Sequence, residues 1–166
     1  MRLAGINSES VVDGDGIRMT IFGQGCPHHC EGCHNPSTWD FDGGEETSIE
    51  SVVAKVKENP LLSGVTFSGG EPFVHAHDFY EIAKAVHNMG LDVWSYSGYT
   101  LEELQKLSET NSDIKNFLNE IDVLVDGKFI LAKRDLSLRF RGSSNQRVID
   151  MKATKEKGEI ILLYTD

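Results

Sequence analysis

The chain has three cysteines, and all of them lie in the stretch CPHHCEGCHN, at Cys26, Cys30 and Cys33. Their spacing, C-x3-C-x2-C, gathers three thiolates on one short loop. Thiols grouped this way point to a soft metal or to catalysis. A closed structural zinc site is tetrahedral, so three cysteines would need a fourth ligand, and His28, His29 and His34 are at hand. A cubane iron–sulfur cluster has four irons, normally held by four cysteines. Three cysteines would leave one iron without a protein ligand, and that iron becomes a coordination site for substrate. The loop alone leaves both readings open.

A second motif, SGGEP from Ser68 to Pro72, follows one strand–helix unit later. Two adjacent glycines let backbone approach a ligand closely, and strand-end amides and carbonyls suit an amino acid's charged groups. Glycine at a strand end is also the ordinary chemistry of turns. Joined to the cysteine loop, the motif favours a catalytic iron over a zinc knuckle, which usually staples small loop-rich units.

These residues need a frame, and the hydrophobic pattern supplies one. IRMTIFG alternates as a strand ending at Gly23, and the cysteine loop follows it directly. TSIESVVAKVKEN has a one-faced helical spacing, with Thr47 and Glu50 placed as a capping box. GVTFSGG reads as a strand, HDFYEIAKAVHN as a helix stopped by Gly90, and LDVWSYSG as a strand. TLEELQKL is a helix with a second capping box, Thr100 and Glu103; NSDIKNFLNE is more helix, and IDVLVDG a strand buried on both faces. EIILLY predicts a last strand. Alternating strands and helices imply right-handed crossovers and a mostly parallel, curved sheet. A full eight-stranded barrel needs about 250 residues. The 166 residues here predict a single α/β domain, 1–166, built as an open partial (β/α) barrel. Ligands in such folds sit at the carboxyl ends of strands, where Cys26, Gly69, Gly70, Ser95, Ser97 and Asp126 fall. Asp126 also reads simply as the last residue of its strand. His28 and His29 are expected on an exposed loop, and His75, His77 and His87 on the surface.

A net charge of −10 argues against a nucleic-acid backbone as partner. No apolar run reaches the length of a membrane span and no signal peptide is evident, so the expected compartment is cytoplasmic.

The motifs together resemble the radical S-adenosylmethionine superfamily: C-x3-C-x2-C on the first strand–helix loop, then GGE after the next strand. VDGDGIRMTIFGQGC (Val12 to Cys26) and CHNPSTWDF (Cys33 to Phe41) are similar to activating enzymes of glycyl radical enzymes. YSGYTLEEL, DVLVDGKF and RGSSNQR (Arg141 to Arg147) resemble the small activators of anaerobic, class III ribonucleotide reductases. The likeness spans about residues 5–150. It implies a 4Fe-4S cluster on Cys26, Cys30 and Cys33, whose open iron chelates the amino and carboxylate groups of S-adenosylmethionine. Reductive cleavage would give methionine and a 5′-deoxyadenosyl radical, which takes hydrogen from a glycine of the reductase.

By the same resemblance, Gly32, Cys33 and His34 line the nucleoside, and Gly69, Gly70 and Glu71 the methionyl end. Ser95 and Ser97 would meet the ribose or carboxylate, or serve as plain turn serines. Asn145, Gln146 and Arg147 would contact cofactor or the partner's glycine loop, or form a structural network. A low-potential one-electron donor such as flavodoxin or ferredoxin is implied. Gly32 departs from the aromatic residue common before the last cysteine, so adenine contact must come from backbone or another side chain. The rival readings are an activator of another glycyl radical enzyme, of the pyruvate formate-lyase type, and a non-catalytic zinc module.

Overall fold

Met19 and Ile21 point to one side of a strand and Thr20 to the other, and this alternation divides the molecule into two faces. The computed structural model describes all residues from Met1 to Asp166. Its first strands, β1 (Arg2–Ser10) and β2 (Arg18–Gly23), form an antiparallel pair. β3 (Glu45–Glu46) and α1 (Ile49–Glu58) follow the cysteine loop. Then come β4 (Gly64–Gly69), α2 (Ala76–Asn88), β5 (Asp92–Tyr96), α3 (Leu101–Ser108), α4 (Ser112–Glu120) and β6 (Val123–Asp126). A long connection leads to β7 (Arg147–Asp150), α5 (Met151–Lys157) and β8 (Leu162–Tyr164).

One sheet of order β3-β1-β2-β4-β5-β6-β7-β8 results, with β3 and β8 as free edges, so it does not close. The four central strands, β2, β4, β5 and β6, are parallel, which brings their carboxyl ends to one rim. The expected open α/β sheet is thus present, while its margins, β1, β3, β7 and β8, pair antiparallel.

Met19, Ile21, Val65, Phe67, Val93 and Leu124 face the helices and enter the main core with Phe79, Ile82, Leu104 and Phe117. The opposite face carries a smaller cluster, Trp94, Val123, Val125 and Val148, with Tyr96, Phe140 and Tyr164 against it. Arg18 is fully buried on that face. Its guanidinium donates to Thr66 Oγ1 (2.8 Å), Asp15 O (2.9 Å) and Val65 O (3.0 Å) and pairs with Asp92. Asp13 accepts from Ser10 Oγ (2.7 Å) and Thr20 Oγ1 (2.9 Å). These bonds pin the β1–β2 connection across the inner face, where Val11, Val12 and Asp13 line one end of a cavity. No helix is long and apolar enough to cross a membrane.

The helix starts show local chemistry at work. Thr100 and Glu103 form the expected reciprocal capping box on α3. α1 instead starts one residue later than expected: Ser48 caps it, accepting from Ser51 N–H at 3.2 Å. Thr47 is unavailable, because its backbone N–H donates to Met1 O at 2.8 Å, continuing the strand edge. The final strand is also shorter than EIILLY.

His87, expected at the surface, is half-buried and clamped between Glu120 (2.6 Å) and Asp122 (2.7 Å), tying α2 to the start of β6. Burial opposes its charge, but the hydrogen bonds to Asp122 and Glu120 outweigh burial and raise its pKa. A raised folded-state value means the contribution is whole below the ordinary imidazole range and is lost as pH rises through the folded value. The stability difference between wild type and His87→Gln is therefore expected to be largest at about pH 6 and below and to shrink as pH rises through the raised folded-state value. Denaturant midpoints across that range measure it, and a difference independent of pH would rule out the charged clamp. His75 is another correction: it is half-buried, its Nε2 lies 2.7 Å from Gln24 O, and burial lowers its pKa.

Candidate functional site

The rim where the parallel strands end opens into a cavity of about 760 Å³ on the inner face, within the range of small-ligand sites. Cys26, Cys30 and Cys33 all line it. Cys26 is buried, and Cys30 and Cys33 are partly exposed. Burial pushes up the Cys26 and Cys30 thiols; against it work the His28 and His29 amides at Cys26 and the Phe129 amide at Cys30. A bound cationic iron centre would reverse the burial effect and hold the thiolates.

The strand-end turns form the opposite wall. Gly69 has φ +97, and a Cβ on it would lie 2.6 Å from the Gly23 backbone. A Cβ on Gly70 would lie 2.2 Å from Gly25 O, so only glycine lets β4 end pressed against the start of the cysteine loop. Both glycines line the cavity, with Ser68, Ser97 and Gly98 beside them.

Glu71 lies behind this wall rather than in it. The side chain is fully buried. Its carboxylate accepts from Ser97 Oγ (3.0 and 2.9 Å), Gly98 N–H (2.8 Å) and Phe73 N–H (3.1 Å). His28 Nε2 sits 2.6 Å from the same carboxylate. The ring of His28 lies on Gly98, where a Cβ would fall 2.4 Å from it. Glu71 thus joins the cysteine loop, the end of β4 and the end of β5 through one carboxylate. His28 is accordingly no exposed loop residue: its side chain is only 6% accessible.

The other expected site residues divide. His34, Ser97 and Gln146 line the cavity; Gly32, Ser95, Asn145 and Arg147 do not. Gly32 has φ +75, a backbone conformation that favours glycine. Ser95 shares the helix-facing side of β5 with Val93, and its hydroxyl donates to Tyr96 O at 3.0 Å. Asn145 Nδ2 donates to Lys128 O at 2.8 Å, and Gln146 Nε2 to Gly127 O at 2.9 Å. Arg147 pairs with Asp126 and Glu102, and the Asp126 bond is the main cause of its raised pKa. Asp126 itself caps α3, accepting from Leu101 N–H at 2.7 Å.

Sequence reasoning missed Trp39, Tyr96, Phe129, Phe140 and Arg141, all on the cavity wall. Phe129 had a findable signal, since it ends the DVLVDGKF motif. Its ring stands 3.2 Å from where a Gly32 Cβ would be and packs edge-on to His34 at 5.2 Å. An aromatic side chain distant in sequence therefore occupies the space beside Gly32.

Three thiols on one loop are the donor type that an iron–sulfur cluster takes. No three His, Cys, Asp or Glu side chains are gathered closely enough to hold one metal ion. Of the three histidines that a zinc knuckle would call on, His28 is bonded through Nε2 to Glu71, while His29 stacks on Trp39 at 4.6 Å and His34 packs against Phe129.

An open α/β sheet bearing a three-thiol loop at the ends of its parallel strands defines an iron–sulfur domain. Residues 12–149 match the family model described as a 4Fe-4S single cluster domain. A relative from Salmonella typhi is 37% identical over 147 residues, covering 83% of this chain and 91% of its own length. One from Vibrio cholerae is 37% identical over 145 residues, covering 82% and 89%. One from Enterobacteria phage T4 is 32% identical over 146 residues, covering 82% and 86%. Each is named an anaerobic ribonucleoside-triphosphate reductase-activating protein, and the chain belongs to that family.

Proposed function

We propose that this protein activates an anaerobic ribonucleoside-triphosphate reductase, using S-adenosylmethionine and a 4Fe-4S cluster held by Cys26, Cys30 and Cys33 on a radical-SAM-type partial barrel. Held by these three thiolates, the cluster would supply the single electron for reductive cleavage of S-adenosylmethionine, the chemistry that would generate the glycyl radical on the reductase. The single observation that carries this reading is the placement of three thiols, and no fourth, on one wall of an open cavity faced by the Gly69–Gly70 turn.

The remaining work falls to position. The Gly69–Gly70 turn and Ser97 receive the methionyl end, and backbone from Gly32 to His34, with the Phe129 ring, lines the nucleoside. Glu71 positions rather than binds, since its carboxylate is already engaged. Ser95, Asn145 and Arg147 act from behind the wall, and Gln146 from within it. Holding a reactant against its partner group in this way lowers a barrier by several kcal/mol, roughly 7–11 in the best intramolecular cases. A sheet that stays open leaves room for a polypeptide loop, whose arrival excludes water. A low-potential one-electron donor, such as flavodoxin or ferredoxin, supplies the electron.

The test is to reconstitute the protein with iron and sulfide, add dithionite and S-adenosylmethionine, and assay 5′-deoxyadenosine. Adding the reductase should then yield a glycyl doublet in electron spin resonance. A colourless protein holding one zinc and no sulfide would end the reading; a doublet only on another glycyl radical enzyme would redirect it.

A further inference from the structure

The chain is acidic, with a net charge of −10, yet its stretch KFILAKRDLSLRFR (128–141) has five cations against one carboxylate. That carboxylate, Asp135, is occupied by the N–H and hydroxyl of Ser137, at 2.9 and 2.6 Å. Lys128, Lys133 and Arg134 are exposed, and none of them forms an ion pair within the chain. Between them Ile130 and Leu131 are 40% and 43% exposed. An apolar centre flanked by unpaired charge has the anatomy of a docking surface.

This stretch lies against the cysteine loop. The Phe129 amide reaches the Cys30 thiol, and a Cβ on Gly32 would lie 2.9 Å from Leu131 and 3.2 Å from Phe129. Its backbone is pinned, with Ile130 N–H donating to Ser143 Oγ (3.2 Å) and Ser144 N–H to Lys133 O (2.9 Å). Lys128 and Phe129 line the cavity, whereas Ile130, Leu131, Lys133 and Arg134 do not. On the proposed function the cluster has three visitors: the nucleoside, the reductase glycine and an electron donor. The first two share the cavity, so the donor needs an approach to the cysteine loop from outside it. Residues 130–134 offer one.

We infer that residues 130–134, with Lys128 beside them, are the docking surface for an acidic one-electron carrier protein. The inference rests on the function proposed above and adds the electron's point of entry. Local positive charge steers such a carrier to a protein whose net charge would otherwise repel it. Interfaces that pass single electrons are small and transient, and a patch of this size suits one. The carrier gives up one electron and leaves oxidised; the cluster is reduced by one, and no bond forms or breaks.

The test compares cluster-loaded wild type with the double variants Lys133→Glu/Arg134→Glu and Lys152→Glu/Lys155→Glu. The second makes the same change in net charge on α5, which starts at the opposite rim, where Asp150 pairs with Val123. All four side chains are exposed. Stopped-flow bleaching reads the rate of cluster reduction by reduced flavodoxin, reduced ferredoxin and photoreduced deazariboflavin, a small uncharged reductant. Lys133→Glu/Arg134→Glu is expected to slow the two acidic carriers about 10- to 100-fold at low salt and to flatten the wild type's salt dependence. Iron content, reduction by deazariboflavin and the glycyl radical yield it drives should match wild type. Lys133→Ala/Arg134→Ala should give a smaller loss in the same direction and stands in if the reversed pair does not fold. Unchanged carrier rates, or an equal loss in the α5 variant, overturn the docking surface. Intact carrier rates with weakened reductase binding also overturn it and give the patch to the reductase. Wild type that cleaves S-adenosylmethionine with deazariboflavin but accepts electrons from neither carrier overturns the docking surface alone. Wild type that holds no cluster, or cleaves no S-adenosylmethionine with any reductant, overturns the functional reading and this inference together.

Discussion

Replacing Cys30 with alanine is expected to abolish cleavage of S-adenosylmethionine while leaving the unfolding of the metal-free chain nearly unchanged. The argument separates two roles that cysteines can have. Cys30 is partly exposed on an irregular loop, and the 24-residue main core contains no cysteine. Trimming one sulfur there should shift stability by no more than about 0.5 kcal/mol, as at ordinary exposed positions. On the proposed function the chemistry has no such tolerance, because a cubane assigned to three thiolates would be left with two. Iron and sulfide per chain, 5′-deoxyadenosine yield and denaturant midpoints read the two roles apart. A metal-free variant that fails to fold would mark the loop as a structural metal site instead.

Glu71 should behave in the opposite way, and Glu71→Ala is expected to cost about 3–5 kcal/mol, the loss typical when one partner of a buried polar cluster is removed. Four residues direct hydrogen-bonding groups at its carboxylate: Phe73, Ser97, Gly98 and His28. Alanine would leave all of them without that partner. Glu71→Gln keeps the volume but puts an amide N–H₂ among donors, so it should still lose roughly 1–3 kcal/mol. Against a total stability of about 5–15 kcal/mol, either change is large. Urea unfolding measures both, and iron retention should fall with stability because His28 no longer anchors the cysteine loop. A loss under about 1 kcal/mol for both variants would show that the strand ends hold without Glu71.

The parts of this molecule that could be read in advance are those governed by local periodicity. α2 repeats its apolar residues at helical spacing, Thr100 and Glu103 are three apart, and both signals act within one or two turns. β1 escaped because RLAGINSES buries only Leu3 and Ser10, leaving little alternation to find. β7 escaped because it is four residues long and owes its place to pairing with β6. The site shows the same division. Three cysteines within eight consecutive residues announce themselves, whereas Glu71 reveals its role only once Ser97, 26 residues away, is beside it. His28 looked like an exposed loop residue because nothing local shows that Gly98 offers it a flat seat.

The sheet's free edges and the partly exposed Cys30 and Cys33 carry a last consequence. Thiols that solvent can reach can also be reached by dioxygen, itself a small molecule. A cluster held there, as proposed above, would confine the fold's usefulness to airless surroundings, and a client docked over the cavity would double as the shield.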